Sequence, residues 1–263
     1  MGVSPMHFDQ GRRRVTDHRE FAMRVISCRD GKLQELAEAG LKTSSARSFQ
    51  TGIAALDELA PDHTFARGAV HEILSTPQNT PGTFFAAVLA KAASSRGMGV
   101  SPMRPTIWSD PTQQLYPPAL ANLGIDLSQV YLLHPKDEAD EAWAVAECLK
   151  CPGVGAVIAS PKRLSRVVAR KLQLAAETGG AVGILLRTTG RGSEIYAAAT
   201  RWLVAPAPGE RTIQRWTVEL LHGHGGRIGQ SVFLEHCRET NSVRALAELA
   251  NRSKKTQTRA ASA

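Results

Sequence analysis

The stretch HEILSTPQNTPGTFFAAVLAKAA, residues 71–93, sets the fold class that we predict for this chain. It combines an apolar strand, a short polar loop and an apolar helix, which is the layout of a phosphate-binding loop. In such a loop, backbone N–H groups and the helix N-terminus hold a nucleotide, and a lysine after the last glycine contacts its outer phosphates. Here Gly82 is followed by Thr83 and Phe84. The stretch therefore has the outline of a nucleotide site without its lysine.

On both sides of this stretch, short apolar runs alternate with helical patterns. The predicted strands are residues 69–74, 105–110, 129–135, 155–160 and 181–187, and the predicted helices are 83–95, 116–124, 137–151 and 162–178. This alternation is typical of a mostly parallel sheet flanked by helices, so we predict an α/β fold. After residue 200, the runs RWLVAP, QRWTVELLH and SVFLEH follow one another closely, with GHGGRIG as a hairpin connection. They predict an antiparallel C-terminal strand extension.

The chain divides into three predicted parts. Residues 1–50 form an N-terminal extension with one helix, at 30–41, whose leucines share one face. Residues 51–238 form the core domain. Residues 239–263 are predicted to form a short helix, NSVRALAELA, followed by a disordered basic tail.

Composition narrows the class of protein. The chain has 263 residues, of which 43% are hydrophobic and 21% charged, which is ordinary for a globular protein. We find neither an apolar run long enough for a membrane span nor a secretory signal, so we predict a cytoplasmic protein. The net charge of +8 favours anionic partners, but the basic residues cluster at both chain ends. Weak, sequence-independent DNA binding is therefore an open expectation.

The cysteines raise the question of a metal or redox site. Cys148 and Cys151 form a CxxC at the end of a predicted helix that Pro152 stops, and no second CxxC follows. The HGHGG run at 222–226 offers imidazoles, but Gly-rich turns between strands often have this composition. Buried, reduced cysteines are the favoured interpretation, a metal or redox role is the alternative, and we predict no metal and no cofactor.

Several segments resemble known proteins. TGIAALDELAPDHTFARGAVHEIL at 51–74 resembles the start of the core of the recombinase RecA, and residues 107–149 resemble the RecA segment that follows, including the LGID turn. The runs ISCRDGKLQEL, TGIAALDELA, LYPPALANLGID, RWLVAPAP and WTVELLHGHGG, in this order across residues 24–236, are more similar to the inducible mutagenesis protein A (ImuA) family. Its members are RecA-like and related to the cell-division inhibitor SulA.

The resemblance implies both a fold and a role. It implies a RecA-like core and an accessory function in SOS-induced, error-prone translesion synthesis. The implied partners are an inactive Y-family-like polymerase protein and an error-prone replicative-type polymerase subunit, with RecA or a second copy of the chain as further candidates. Two alternatives stay open: a SulA-like cell-division inhibitor, and an ATP- or DNA-dependent recombinase-like enzyme.

Catalytic positions can be compared one by one. In the GxxxxGK[ST] pattern, the first glycine falls on Pro77, the second on Gly82, the lysine on Thr83 and the hydroxyl residue on Phe84. The strand expected to end in a metal-supporting aspartate ends at Ser160, and the water-activating glutamate of RecA falls on Thr112. Phosphoryl transfer depends on these charges, so we predict a protein that is not an enzyme.

Two sets of residues remain as candidates. A divergent nucleotide site would use Arg67, Arg104 or His71, whereas capping of a turn before Pro111 accounts for Asp110. Two segments are candidates for partner binding. One is the helix at 30–41, for which packing on the chain's own core is the open alternative, and the other is the C-terminal segment, where apolar positions on one helical face precede a basic end. The candidate partner-binding residues there are Val243, Leu246, Leu249, Arg252, Lys254 and Lys255.

Overall fold

The computed structural model describes residues 24–26, 47–76, 81–95, 103–189 and 198–246. Its strands and helices follow the predicted alternation. In chain order they are β1 Arg24–Ile26, β2 Ser48–Phe49, α1 Ala54–Asp57, β3 Phe65–Ala66, β4 Ala69–Ser75, α2 Pro81–Ser94, β5 Thr106–Ser109, α3 Pro117–Asn122, β6 Val130–Leu133, α4 Glu138–Lys150, β7 Ala156–Ala159, α5 Arg166–Gly179, β8 Val182–Thr188, β9 Thr200–Ala207, β10 Ile213–Gly223, β11 Ser231–Cys237 and β12 Ser242–Leu246.

One ten-stranded sheet organises the molecule, in the order β1-β6-β5-β7-β8-β4-β9-β10-β11-β12. In this sheet order, every neighbouring pair from β1 as far as β9 is parallel. The remaining pairs, β9 with β10, β10 with β11 and β11 with β12, are antiparallel. The predicted mostly parallel sheet with an antiparallel extension is therefore confirmed. The edge strand β1 was not among the predicted strands.

Helices bury both faces of the sheet. Against one face, α2 packs through Phe85 and Leu89, close to Trp202 of β9. Against the other face, α4 and α5 pack through Leu149 and Leu172. Every residue of β4 is buried, which is typical of a central parallel strand covered on both sides.

Side-chain caps define where the long helices begin. Asp137 accepts hydrogen bonds from the backbone N–H groups of Ala139 and Asp140, so α4 begins as predicted. Ser165 caps α5 in the same way by accepting from Val168 N, which places the start of this helix at Arg166 rather than at residue 162. Gly180 ends α5 with a φ of 72°, a left-handed conformation that glycine adopts without steric cost.

The helix predicted near the C-terminus is wrong for residues 242–246. These residues form β12, which pairs antiparallel with β11 from Cys237↔Ser242 to Phe233↔Leu246. Asn241 turns the chain between the strands with a φ of 52°, and Arg244 Nε donates to Glu235 Oε2 at 3.0 Å. The sheet edge thus supplies partners that a short isolated helix lacks. The predicted helix at 30–41, and Leu249, Arg252, Lys254 and Lys255, lie outside the described residues.

Candidate functional site

The junction between β4 and α2 is where a RecA-like protein would hold nucleotide. Ser75 ends β4, Pro77 lies outside the described residues, and α2 begins at Pro81. A Cβ atom on Gly82 would lie 2.8 Å from Ser75 Oγ and 3.3 Å from Ile73 Cγ2. Glycine is therefore needed here for close packing of helix on strand, whether or not a phosphate binds.

Phe84 occupies the position of the magnesium-binding hydroxyl and makes an aromatic contact instead. Its ring stacks on Trp216 of β10, with centroids 3.8 Å apart and an interplanar angle of 16°. The ring centroid of His236, on β11, lies 5.9 Å from the ring centroid of Phe84. Burial, and secondly the charge of Arg238, lowers the pKa of His236, so this ring is neutral at neutral pH. The position joins α2 to the antiparallel strands.

A cavity of about 300 Å³ lies beside Thr83 at the carboxyl ends of β4, β7 and β8. Its lining also includes two cationic side chains, Lys162 and Arg187, but Arg187 Nη1 already lies 2.6 Å from Glu72 Oε1. None of the described residues that line it carries a carboxylate to hold a metal ion. The remaining lining residues are Ser75, Ser160, Pro161, Leu186 and Thr188.

The carboxylate of Asp110, which directly follows β5, is hydrogen-bonded within its own loop. Oδ1 accepts from Gln114 N at 3.0 Å, and Oδ2 accepts from Leu115 N at 2.8 Å. Thr112, at the position of the water-activating glutamate, donates its hydroxyl to Asp110 Oδ1 at 3.4 Å. The predicted turn-capping role of Asp110 is confirmed, and neither carboxylate oxygen is left without a donor.

His71, one of the three residues proposed for a divergent nucleotide site, is a buried structural residue. Its Nδ1 lies 2.7 Å from Thr200 Oγ1, and its Nε2 lies 2.9 Å from the carbonyl oxygen of Ala66. Because a carbonyl only accepts, Nε2 carries the hydrogen. Burial lowers the pKa of His71 to about 4, partly offset by the bond to Ala66, so the ring is neutral.

The other two residues of that divergent site lie at the opposite edge of the sheet. Arg67 precedes β4 and Arg104 precedes β5, so both are at the amino-terminal ends of their strands. Nucleotides in open parallel sheets bind at the carboxyl ends. The hypothesis that Arg67, Arg104 or His71 replaces the missing lysine is therefore wrong on geometry.

Two buried ion clusters, which the sequence analysis missed, tie strands together. Glu72 of β4 pairs with Arg187 of β8 and with Arg201 of β9, whose Nε lies 2.8 Å from Glu72 Oε2. Glu235 of β11 is paired with Arg215 of β10 and Arg244 of β12. Although burial favours its neutral form, hydrogen bonds from these two arginines hold the pKa of Glu235 below its usual value. Sequence signals for such pairs are absent because the partners come from different strands.

The candidate partner-binding residues that are described do not form the predicted stripe. Val243 and Leu246 would share one face of a helix, but three residues apart on a strand they point to opposite faces. Both are half-buried, and Ala245 packs against the core between them. The structure therefore brings Val243 and Leu246 into the sheet edge rather than into one docking surface.

Neither cysteine of the CxxC pair has the surroundings of a reactive thiol. Cys148 is buried in the core, and half-buried Cys151 donates its thiol to the carbonyl oxygen of Glu147 at 3.4 Å. Burial and the charge of Glu147 raise the pKa of Cys151, which disfavours a reactive thiolate.

Within residues 47–76, 81–95, 103–189 and 198–246, no group of three or more His, Cys, Asp or Glu side chains is arranged to hold a metal ion. No helix in the described ranges combines the length and apolar character needed to cross a membrane.

Comparisons with known proteins show relatives in sequence and in fold. The chain is 27% identical over 214 residues to "Protein ImuA" of Caulobacter vibrioides strain NA1000, covering 73% of this chain and 84% of that protein. Protein ImuA of strain ATCC 19089 matches equally well. The fold is similar to that in "Crystal structure of the RadB recombinase", with a TM-score of 0.56, 12% identity, and coverage of 75% of this chain and 99% of that one. No protein-family profile matches. The resemblance to ImuA and the RecA-like fold are thus confirmed.

Proposed function

We propose that this chain is a non-catalytic, RecA-like adaptor in SOS-induced, error-prone translesion DNA synthesis. In this role it binds an inactive Y-family-like polymerase protein, and an error-prone replicative-type polymerase subunit completes the assembly. Similarity to ImuA supports the pathway. The single observation that carries the non-catalytic role is the stack of Phe84 on Trp216, which places a packing contact where a nucleotide-hydrolysing site needs a magnesium ligand.

The chemistry at the neighbouring positions supports the same proposal. Phosphoryl transfer requires neutralisation of phosphate charge, a held metal ion and a positioned base or water. The corresponding positions here carry Thr83, Ser160 and Thr112, none of which supplies a charge. Asp110, the nearby carboxylate at the end of β5, caps its own loop.

An adaptor needs exposed surface that favours protein contacts. On the outer face of α5, Val167 is 79% exposed and Leu174 is 44% exposed. They line a shallow groove of about 550 Å³ rimmed by basic side chains, namely Lys150, Arg166, Arg170 and Lys171. Exposed apolar side chains in one groove are typical of interaction sites. The groove is therefore one candidate docking surface for the polymerase-like protein. The C-terminal segment, with Leu249, Arg252, Lys254 and Lys255, is a separate candidate.

The test is binding of the purified polymerase-like partner to the whole chain, measured by biolayer interferometry with and without Mg·ATP. We expect binding that does not depend on nucleotide. Val167→Asp and Leu174→Asp should weaken it if the groove is used, and Arg211→Gln, in the exposed loop before β10, serves as the control. Nucleotide-dependent binding, or ATP hydrolysis by the chain, would instead favour a recombinase-like enzyme.

A further inference from the structure

Two arginines that form no ion pair with another described residue lie at the amino-terminal edge of the sheet. Arg67 comes two residues before Ala69, the first residue of β4, and Arg104 comes two residues before Thr106, the first residue of β5. In the sheet order, β7 and β8 lie between these strands, and both arginines stand at the same edge of the sheet. The charge of Arg104 reaches Arg67, since it contributes to the lowered pKa of Arg67. This edge is opposite to the cavity beside Thr83.

The guanidinium of Arg67 is held in place but not satisfied. Its Nε and Nη1 atoms are buried and have no hydrogen-bond partner. Its central carbon lies 5.2 Å from the centre of the Phe49 ring, and its backbone N–H donates to the carbonyl oxygen of Arg47 at 2.8 Å. A buried donor without an acceptor costs free energy, so such a group in a native protein calls for an explanation.

The local charge is also unbalanced. No ion pair among the described residues includes Arg67 or Arg104. Burial, and secondly the charge of Arg104, lowers the pKa of Arg67 to about 10, and burial also lowers the pKa of Arg104. Both guanidinium groups remain charged at neutral pH, and the charge of Arg104 repels that of Arg67.

We propose that Arg67 and Arg104 bind a phosphate group at the amino-terminal edge of the sheet. The phosphate would accept from the buried donors of Arg67 and neutralise both cations. Arginine presents a planar fork of N–H donors that matches phosphate oxygens. A phosphate is favoured over a carboxylate because two guanidinium groups need more than one negative charge. This site is separate from the loop at Gly82 and does not rest on the proposed adaptor role.

Thermal unfolding of the full chain tests the site, with inorganic phosphate compared with chloride at equal ionic strength. We expect a saturable rise in Tm with phosphate, and an apparent Kd that increases about tenfold or more in Arg67→Met and in Arg104→Gln. Arg211→Gln, with the same change in charge in the exposed loop before β10, should respond as the parent does. Arg67→Lys keeps the charge but loses the fork, and it should bind phosphate more weakly than the parent even if Arg67→Met does not fold.

A second arm identifies the source of the phosphate. Anisotropy of a fluorescent single-stranded oligonucleotide, measured against salt, should show a smaller slope in Arg67→Met,Arg104→Gln if the ligand is a nucleic-acid backbone. An unchanged slope together with a lost phosphate response assigns the site to a small phosphate-bearing molecule. The proposal is overturned if both variants keep the phosphate response, since phosphate also stabilises proteins non-specifically. It is likewise overturned if a glutamate-rich peptide gives the same response as phosphate.

Discussion

Phe84 of α2 stacks on Trp216 of β10, with ring centroids 3.8 Å apart and planes 16° apart. The contact joins the helix after the degenerate loop to the antiparallel part of the sheet. Aromatic pairs contribute roughly 0.5–1.5 kcal/mol beyond the area that they bury. A position that serves magnesium in nucleotide-hydrolysing relatives of this fold thus contributes to packing here.

Replacing Phe84 with alanine should lower the free energy of unfolding by about 2–3 kcal/mol, because the half-buried ring is lost together with its stack on Trp216. Urea unfolding followed by far-UV circular dichroism measures this. Phe84→Leu keeps much of the apolar contact and should lose less. Equal stability of Phe84→Ala and the parent chain would show that the stack contributes nothing.

Mg·ATP should not bind at a single site at millimolar concentration, and Thr83→Lys should not produce turnover. Restoring the lysine leaves Phe84 in place of the hydroxyl residue, and Ser160 and Thr112 in place of the metal carboxylate and the base. Isothermal titration calorimetry and a phosphate-release assay measure the two quantities. One-site binding that Thr83→Glu abolishes would contradict the prediction.

Gly82→Ala should destabilise the chain by about 1–2 kcal/mol, because the added methyl group would lie 2.8 Å from Ser75 Oγ. Ser75→Ala removes that oxygen, so the double variant should recover part of the loss. A double-mutant cycle by urea unfolding measures the coupling. Additive effects of the two substitutions would show that Ser75 does not set the tolerance at position 82.

His71 should make stability depend on pH between about 6.5 and 4. The folded-state pKa is lowered to about 4, so in this window the unfolded chain binds more protons, and stability falls as the pH falls. The loss is up to about 3 kcal/mol, from about 1.4 kcal/mol per pKa unit. Unfolding free energies of the parent and of His71→Gln, measured at pH 7 and pH 4.5, isolate this contribution. Parallel pH profiles would mean that His71 is not the cause.

Truncation after Cys237 should destabilise the domain by about 2–4 kcal/mol, because it removes β12 and the Arg244 partner of buried Glu235. Truncation after Leu246 keeps the strand and should leave the melting temperature nearly unchanged. If the segment beyond Leu246 docks the polymerase-like protein, the variant truncated after Leu246 should bind this partner more weakly while its melting temperature stays the same. Equal melting temperatures for the two truncations would argue against a structural role for β12.

Local sequence patterns were enough to predict most of the core. A strand such as β4, buried along its whole length, and a capped helix such as α4 are encoded by nearby residues, through burial and through the Asp137 cap. The identity of Thr83 and Phe84 could likewise be read directly, since the phosphate-loop pattern is local. The capping role of Asp110 was predictable because its donors lie within five residues of it.

Contacts between distant residues could not be predicted in this way. The run SVRAL, residues 242–246, fits both a helical and a strand pattern. The strand is selected by backbone pairing with the edge of β11 and by the hydrogen bond from Arg244 to Glu235. The partner of Phe84 lies on β10, in another part of the chain. In each case the deciding interaction is between segments that only folding brings together, and its free energy exceeds the small differences in local propensity.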